Sequence, residues 1–330
     1  MKIKAKAMGV GHALGENTLT NEDLEKMVET NDQWITERTG IKERRIANET
    51  TYTSDLALKA AKEALADAKM EGADIDLIIV ASVTPDYMTP TLSCRLQYKL
   101  GAEKAAAYDI NMACSGFVAA VVMAEQFIEN GTYENVLVVG ADALSKVTDY
   151  TDRATCILFG DGAGAMILSA NKDENDKSGI LVNKLTTTGS GGDLLTLPFI
   201  KKTEEDMQKR LADNPYVIWM DGGAVLKYAV RAMASITNET LKKANLTIDD
   251  IDILIPHQAN LRIVDGAIKR IGIDTEKVYI NIAHYGNMSA ACIPIAIYEA
   301  VKEGRVKRGD TVLLVGFGGG LTAGCIILTW

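Results

Sequence analysis

The sequence predicts an α/β fold made of two similar halves, and three observations carry that expectation. Short apolar runs of β type alternate along the chain with longer segments of helical spacing. Three short matches recur at one offset of 176 residues: Asp74-Ile75-Asp76 with Asp250-Ile251-Asp252, Asn111-Met112 with Asn287-Met288, and Val136-Leu137 with Val312-Leu313. Between the two sets lies a polar stretch, Asn171 to Ser178 (NKDENDKS), which reads as an exposed connection. The expected division is a first half over residues 1–172 and a second over 173–330.

The elements follow in order. Thr53 to Met70 carries apolar residues at helical spacing, and Ile75 to Val83 is an almost continuous apolar strand of the kind buried on both faces. Asn135 to Gly140 is a second such strand. The pattern returns late as a helix over Tyr228 to Ala244, a strand over Ile251 to Ile255 and a strand over Thr311 to Gly316.

The bulk properties exclude several classes. With 330 residues, 47% of them hydrophobic, the chain fits one large or two closely packed domains. A net charge of −9 argues against a general nucleic-acid binder. No apolar run approaches the roughly 18 residues that a membrane helix needs, and Met1 to Gly11 lacks the features of a secretory leader. The five cysteines are odd in number and show neither CxxC pairs nor metal-ligand spacing with histidine. That favours a reduced, cytoplasmic protein with no disulfide framework and no metal site.

Three residues stand out as chemistry-bearing. Only three histidines are present, His12, His257 and His284, so proton transfer near neutral pH has few candidates. His257 follows directly on a strand, where α/β folds gather their sites; a structural loop histidine is the other reading of it. Cys114, in DINMACSGF, falls at a strand-to-helix turn, where free amides and the helix dipole favour a thiolate. Ala113, Ser115 and Gly116 leave space around it, although a cysteine buried in a helix would read the same way. Cys94, Cys156, Cys292 and Cys325 lack this setting and read as packing residues. Asn287 is the 176-offset counterpart of Asn111 and precedes another apolar helix. Its amide suits a developing oxyanion, and a helix cap accounts for it equally. The glycine runs FGDGAGA (159–165) and VGFGGG (315–320) lead into strands rather than helices. They fit tight turns with free N–H groups better than a nucleotide fingerprint.

Seven segments in order, NDQWITERTGIKERRIA (31–47), DINMACSGF (109–117), FGDGAGA (159–165), GSGGDLL (189–195), IPHQANLRI (255–263), YGNMSAACIP (285–294) and VGFGGGLTAG (315–324), resemble the 3-oxoacyl-acyl-carrier-protein synthase III family of thiolase-type condensing enzymes. The resemblance spans nearly the whole chain. It implies the five-layer αβαβα thiolase fold of two duplicated halves, in a homodimer. It also implies a catalytic triad of Cys114, His257 and Asn287, with an oxyanion hole from the N–H groups of Cys114 and Gly319. The implied coenzyme A contacts are Thr30, Trp34, Arg38, Arg153, Gly222 and Asn260, and the implied docking residues for an acidic acyl carrier protein are Lys227, Arg262, Lys269 and Arg270. No tightly bound cofactor is implied; an acyl-CoA and malonyl-acyl carrier protein are the substrates.

Asn287 stands where elongating condensing enzymes carry a second histidine, which points to chain initiation; His284 is three residues away and reads as structural. Several positions depart from the family pattern: Met288 for a common Thr, Ala323 for a common aromatic residue, the segment MTPTLSCR (88–95), Gly223-Ala224 and Leu226. They leave the acyl primer open. A condensing enzyme or acyltransferase of secondary metabolism, and a non-catalytic acyl-binding subunit, are the competing classes; the intact triad argues against the second.

Overall fold

The structure is a computed structural model, and it describes residues 3–199 and 216–330. The first half runs β1 (Lys4–Leu14), β2 (Asn17–Thr20), α1 (Asn21–Glu25), α2 (Asp32–Thr39), β3 (Glu43–Ile46), α3 (Thr53–Ala68), β4 (Leu77–Ala81), α4 (Leu92–Lys99), β5 (Ala106–Ile110), α5 (Gly116–Glu129), β6 (Asn135–Ala143), α6 (Arg153–Cys156) and β7 (Asp161–Asn171). The second runs β8 (Gly179–Thr187), β9 (Leu195–Thr196), β10 (Trp219–Met220), α7 (Gly222–Ala244), β11 (Ile253–Pro256), α8 (Leu261–Ile271), α9 (Ile282–Tyr285), α10 (Cys292–Lys302), β12 (Thr311–Gly318) and β13 (Thr322–Thr329).

Two sheets, ordered β1-β7-β6-β4-β5 and β11-β12-β13-β8, form the frame. Their alternation builds five layers. Leu77, Ile79, Val136 and Val138 of the first sheet face Ile253, Ile255, Val312 and Leu314 of the second, with α5 and α10 between them. Ile78, Val80, Leu137 and Val139 point the other way onto α3 and α4, and Leu254, Leu313 and Val315 pack under α7 and α8. Because α5 lies in the middle layer, it is apolar around most of its circumference. Each leucine or valine buried here contributes about 1.5–3 kcal/mol.

The 176-residue repeat is visible in the backbone. Leu77 pairs with Val136 and Ile253 with Val312, the same parallel register in each half. Lys69 and Asn245, both left-handed, end α3 and α7. Ala113 (φ 46°) and Ser289 (φ 49°) share a second left-handed position immediately before the two central helices. The halves differ in two places. The second sheet has only the isolated bridge Leu254–Val278 where the first has β5. Residues 144–160 separate β6 from β7, whereas 319–321 suffice between β12 and β13.

Most expected elements are present, with shifted ends. The strands expected from Ile75 and Ile251 begin at Leu77 and Ile253, because both isoleucines close short 3₁₀ turns. The second-half helix begins at Gly222 rather than Tyr228: Asp221 caps it by accepting from Ala224 N–H at 3.0 Å, a start that Gly222 and Gly223 disguise in the sequence. Cys94, read as a packing residue, is exposed in the first turn of α4.

Candidate active site

The two central helix starts meet in the middle of the molecule. A side chain on Gly140 of β6 would run into the carbonyl of Ala290, and one on Gly316 of β12 would touch Ser115 Cα. Each half's strand therefore supports the other half's helix start, which holds Cys114 and Asn287 at one place. Cys114 lies in the 3₁₀ turn Ala113–Ser115 that leads into α5. Ser115 Oγ ties this turn to Thr322 Oγ1 at 2.7 Å.

Asn287 is 5% exposed. Its N–H donates to the Leu158 carbonyl (2.8 Å), and its own carbonyl accepts from Gly160 N–H (3.0 Å), so the segment inserted between β6 and β7 fixes it. Its Oδ1 accepts from Ser289 N–H at 2.8 Å, which leaves the amide NH₂ as the outward donor. Cys292 Sγ lies 3.8 Å from that Oδ1 and 3.9 Å from the Gln258 carbonyl. Cys292, read as a packing residue, thus bridges the Asn287 and His257 loops.

His257 follows β11, its N–H on the Val315 carbonyl at 2.7 Å. The ring is fully buried and meets Phe317 edge-on, with centroids 5.0 Å apart. Neither ring nitrogen has a hydrogen-bond partner among the described residues. Burial pulls its pKa down to about 3, so the imidazole is neutral and offers one N–H. The Gln258 side chain braces this loop by accepting from Asn281 N–H (2.8 Å) and Ile282 N–H (2.9 Å).

The thiol departs from the sequence expectation. Burial pushes Cys114 up to about 12, against a smaller lowering by the Ser289 hydroxyl, and Asp142 adds a still smaller rise. The helix start, expected to favour the thiolate, is outweighed by desolvation of the sulfur, although the residue as a whole is only half-buried.

Gly318 occupies the position in β12 that Asp142 occupies in β6, at the 176-residue offset. Asp142 Oδ2 accepts from Ala290 N–H, the counterpart of Cys114 N–H, at 3.2 Å. In the other half a side chain on Gly318 would lie 2.7 Å from Cys114 N, so the strand and the nucleophile turn pack too closely for one, and no carboxylate engages that amide from this position. Gly319 lies beyond, beside Ala113 and Leu195. Gly319 is the glycine the resemblance implies; Gly318 is a further candidate that the 176-residue offset from Asp142 picks out.

The remaining candidates fall into two groups. Arg38 Cζ lies 4.6 Å and Arg153 Cζ 4.9 Å from the Trp34 ring centroid, and Arg153 also donates to the Glu29 carbonyl at 3.0 Å. Thr30 Oγ1 nearby is buried without a partner. Trp34 packs in one cluster with Leu261 and Met220, which brings the starts of α7 and α8, with Gly222 and Asn260, to the same side. Asn260 caps α8 by accepting from Arg262 N–H at 2.9 Å. Lys227 on α7 and Arg262, Lys269 and Arg270 on α8 are exposed, and Gly266 packs these two helices together against Val230. His284 is exposed, 3.9 Å from Glu43, away from the triad. Among the described residues no group of three or more His, Cys, Asp or Glu could hold a metal ion, and no helix is long and apolar enough to cross a membrane.

Comparison with known proteins places these segments. The family model described as 3-oxoacyl-[acyl-carrier-protein (ACP)] synthase III matches residues 108–189, and the model of the C-terminal part of that family matches residues 241–330. The chain is 49% identical over 329 residues to the beta-ketoacyl-[acyl-carrier-protein] synthase III of Caldanaerobacter subterraneus, covering 100% of this chain and 98% of the relative. It is 48% identical over 330 residues to that of Clostridioides difficile, covering 100% and 99%. The crystal structure of 3-oxoacyl-[acyl-carrier-protein] synthase III from Aquifex aeolicus superposes with a TM-score of 0.91 at 46% identity, covering 99% of this chain and 100% of the other. With matches of this length and identity from end to end, the chain belongs to the 3-oxoacyl-[acyl-carrier-protein] synthase III family.

Proposed function

We propose that this enzyme joins an acyl-CoA primer to malonyl-acyl carrier protein, releasing CoA and CO₂ and giving the 3-oxoacyl carrier protein that starts a fatty acid. Cys114 attacks the primer thioester and carries the acyl group, which splits the reaction into two easier steps. Cys114 N–H, with Gly319 N–H, receives the oxyanion. Loss of CO₂ from the malonyl group leaves an enolate, whose oxygen takes hydrogen bonds from the neutral His257 and the Asn287 amide. That carbon attacks acyl-Cys114.

One observation carries the reading: buried His257 has no hydrogen-bond partner at either ring nitrogen among the described residues, and Asn287, joined to its loop through Cys292, has its oxygen already engaged. Two neutral donors suit a developing enolate. Trp34, Arg38, Arg153, Thr30, Gly222 and Asn260 form the coenzyme A contact, supported by the arginine stack on Trp34. Lys227, Arg262, Lys269 and Arg270 receive the acidic carrier protein.

The halves 1–172 and 173–330 divide the work, the first supplying the nucleophile and the second the carbanion-stabilising pair. A homodimer joins through the edge strand β5, supported by exposed Tyr87, Met88 and Tyr98 beside it. A reducing cytoplasmic setting fits five unpaired cysteines. The test is mass spectrometry after mixing with a panel of acyl-CoAs. The adduct should map to Cys114 and vanish in Cys114→Ala. Asn287→Ala should retain acylation and lose malonyl decarboxylation; equal loss of both steps counts against its role.

A further inference from the structure

We propose that Ser289 and Asp142 form, with Cys114, a buried proton relay that creates the nucleophile. This rests on reading Cys114 as the acyl carrier. Ser289 is 2% exposed, its hydroxyl has no partner within hydrogen-bond distance among the described residues, and its left-handed backbone sets it in the turn that faces Cys114 across the pseudo-twofold. Asp142 is fully buried. Its Oδ1 is saturated, accepting from Ser82 Oγ (3.1 Å), Val83 N–H (2.8 Å), Thr84 N–H (3.1 Å) and Thr84 Oγ1 (2.9 Å). Its Oδ2 accepts from the N–H of Ala290, the residue after Ser289, at 3.2 Å. The Ser289 hydroxyl acts on both groups, lowering the proton affinity of the Cys114 thiol and of the Asp142 carboxyl.

Charge explains why such a relay is needed. A thiolate formed beside ionised Asp142 would put two like charges in a buried site, and burial raises both groups. His257 is too weak a base to take the proton. In the relay the Cys114 S–H bond breaks as its proton passes to Ser289 Oγ, while the Ser289 hydroxyl proton passes to Asp142 Oδ2. One negative charge exists before and after; it moves from carboxylate to sulfur. After attack on the thioester, the CoA sulfur leaves as a thiolate, and the proton returns from Asp142 through Ser289 to that sulfur. Cys114-SH and acyl-CoA become acyl-Cys114 and CoA-SH. His257 and Asn287 stay free for the second half-reaction.

The test uses the full chain and two readouts at Cys114: its alkylation rate with iodoacetamide across pH, and its single-turnover acylation by acyl-CoA. Ser289→Ala should slow acylation on the order of 10²-fold, the usual worth of a positioned proton-transfer group, and Ser289→Thr should restore it. Ala113 already holds the matching left-handed position in the first half, so alanine is compatible with the fold there. Asp142→Asn separates relay from bystander, because removing a mere neighbouring charge would speed alkylation, whereas removing the proton acceptor slows it. In a Cys114→Ala background, adding Ser289→Ala should leave malonyl-thioester decarboxylation unchanged. Alkylation and acylation of Ser289→Ala at the wild-type rate, faster alkylation of Asp142→Asn, or loss of decarboxylation in the double variant each overturns the relay. If Asp142→Asn does not fold, the Ser289 pair decides alone. Failure of the acyl-carrier reading would look different: a wild-type adduct mapping away from Cys114.

Discussion

Replacing Gly318 by alanine tests the close packing at Cys114 N–H. The added Cβ would lie 2.7 Å from Cys114 N, 3.1 Å from Ser115 N and 3.2 Å from Ala113 Cβ. All three atoms belong to the turn that carries the nucleophile, so none is the flexible end of a side chain that could swing away. Either β12 or the turn must move by several tenths of an ångström, which displaces the Cys114 N–H proposed above to receive the oxyanion. Loss of one such donor costs about 2.7–4 kcal/mol, or ~10²–10³ in rate. Single-turnover acylation by acyl-CoA, with quenching and mass readout, measures it directly, and a thermal melt checks that the variant is folded. Gly319→Ala is the built-in control: its Cβ would meet Leu195 O at 3.4 Å and Ala113 Cβ at 3.6 Å, ordinary contact, and its N–H remains. A folded Gly318→Ala enzyme that acylates within about threefold of wild type, a loss under 1 kcal/mol, would refute the reasoning.

Three further outcomes are expected. The unfolded chain protonates His257 below about pH 6.5, whereas the folded chain holds it neutral down to about 3; acidification from pH 7 to 5 should therefore cost wild type about 2 kcal/mol of stability that His257→Asn does not lose, as read by urea melts. Trp34→Ala removes the ring between two guanidinium groups and should raise KM for acyl-CoA about tenfold, with KM for malonyl-carrier protein much less changed, since each cation–π contact contributes about 0.5–1 kcal/mol at an exposed site. Charge reversal at Arg262, Lys269 and Arg270 should raise KM for malonyl-carrier protein, in a salt-dependent way, while acylation by acyl-CoA stays the same; equal loss in both assays would remove these residues from carrier docking.

What could be read from the sequence followed its local signals. Val136-Leu137 and Val312-Leu313 share an offset, and the structure gives them the same strand register in each half. The strand-to-helix turn at Cys114 was legible because small residues separate a β-type run from an apolar helix. The thiol's proton affinity was not, because a helix-start rule sees the local dipole and not the protein packed around the sulfur. Asp142 and Ser289 escaped notice for a related reason: one lies inside an apolar strand and the other in a small-residue turn, and only the crossing of the two halves makes them neighbours. The start of α7 was hidden by Gly222 and Gly223, whose low helix propensity Asp221 offsets as a cap.

Duplication ordinarily yields two copies of whatever a fold does. Here one carboxylate separates the copies. In β6, Asp142 keeps the helix-start amide of Ala290 permanently occupied, like a carbonyl oxygen that never leaves. In β12, Gly318 at the matching place has no side chain to engage the amide of Cys114, the donor proposed above for the transient oxyanion. On the proposed mechanism the second turn is therefore a cast of the first, with a resident carboxyl oxygen marking where the reacting oxygen would sit. The halves are also not independent units, because a substitution at Asp142 would unseat the cast and disturb the charge beside the living thiol in the same stroke.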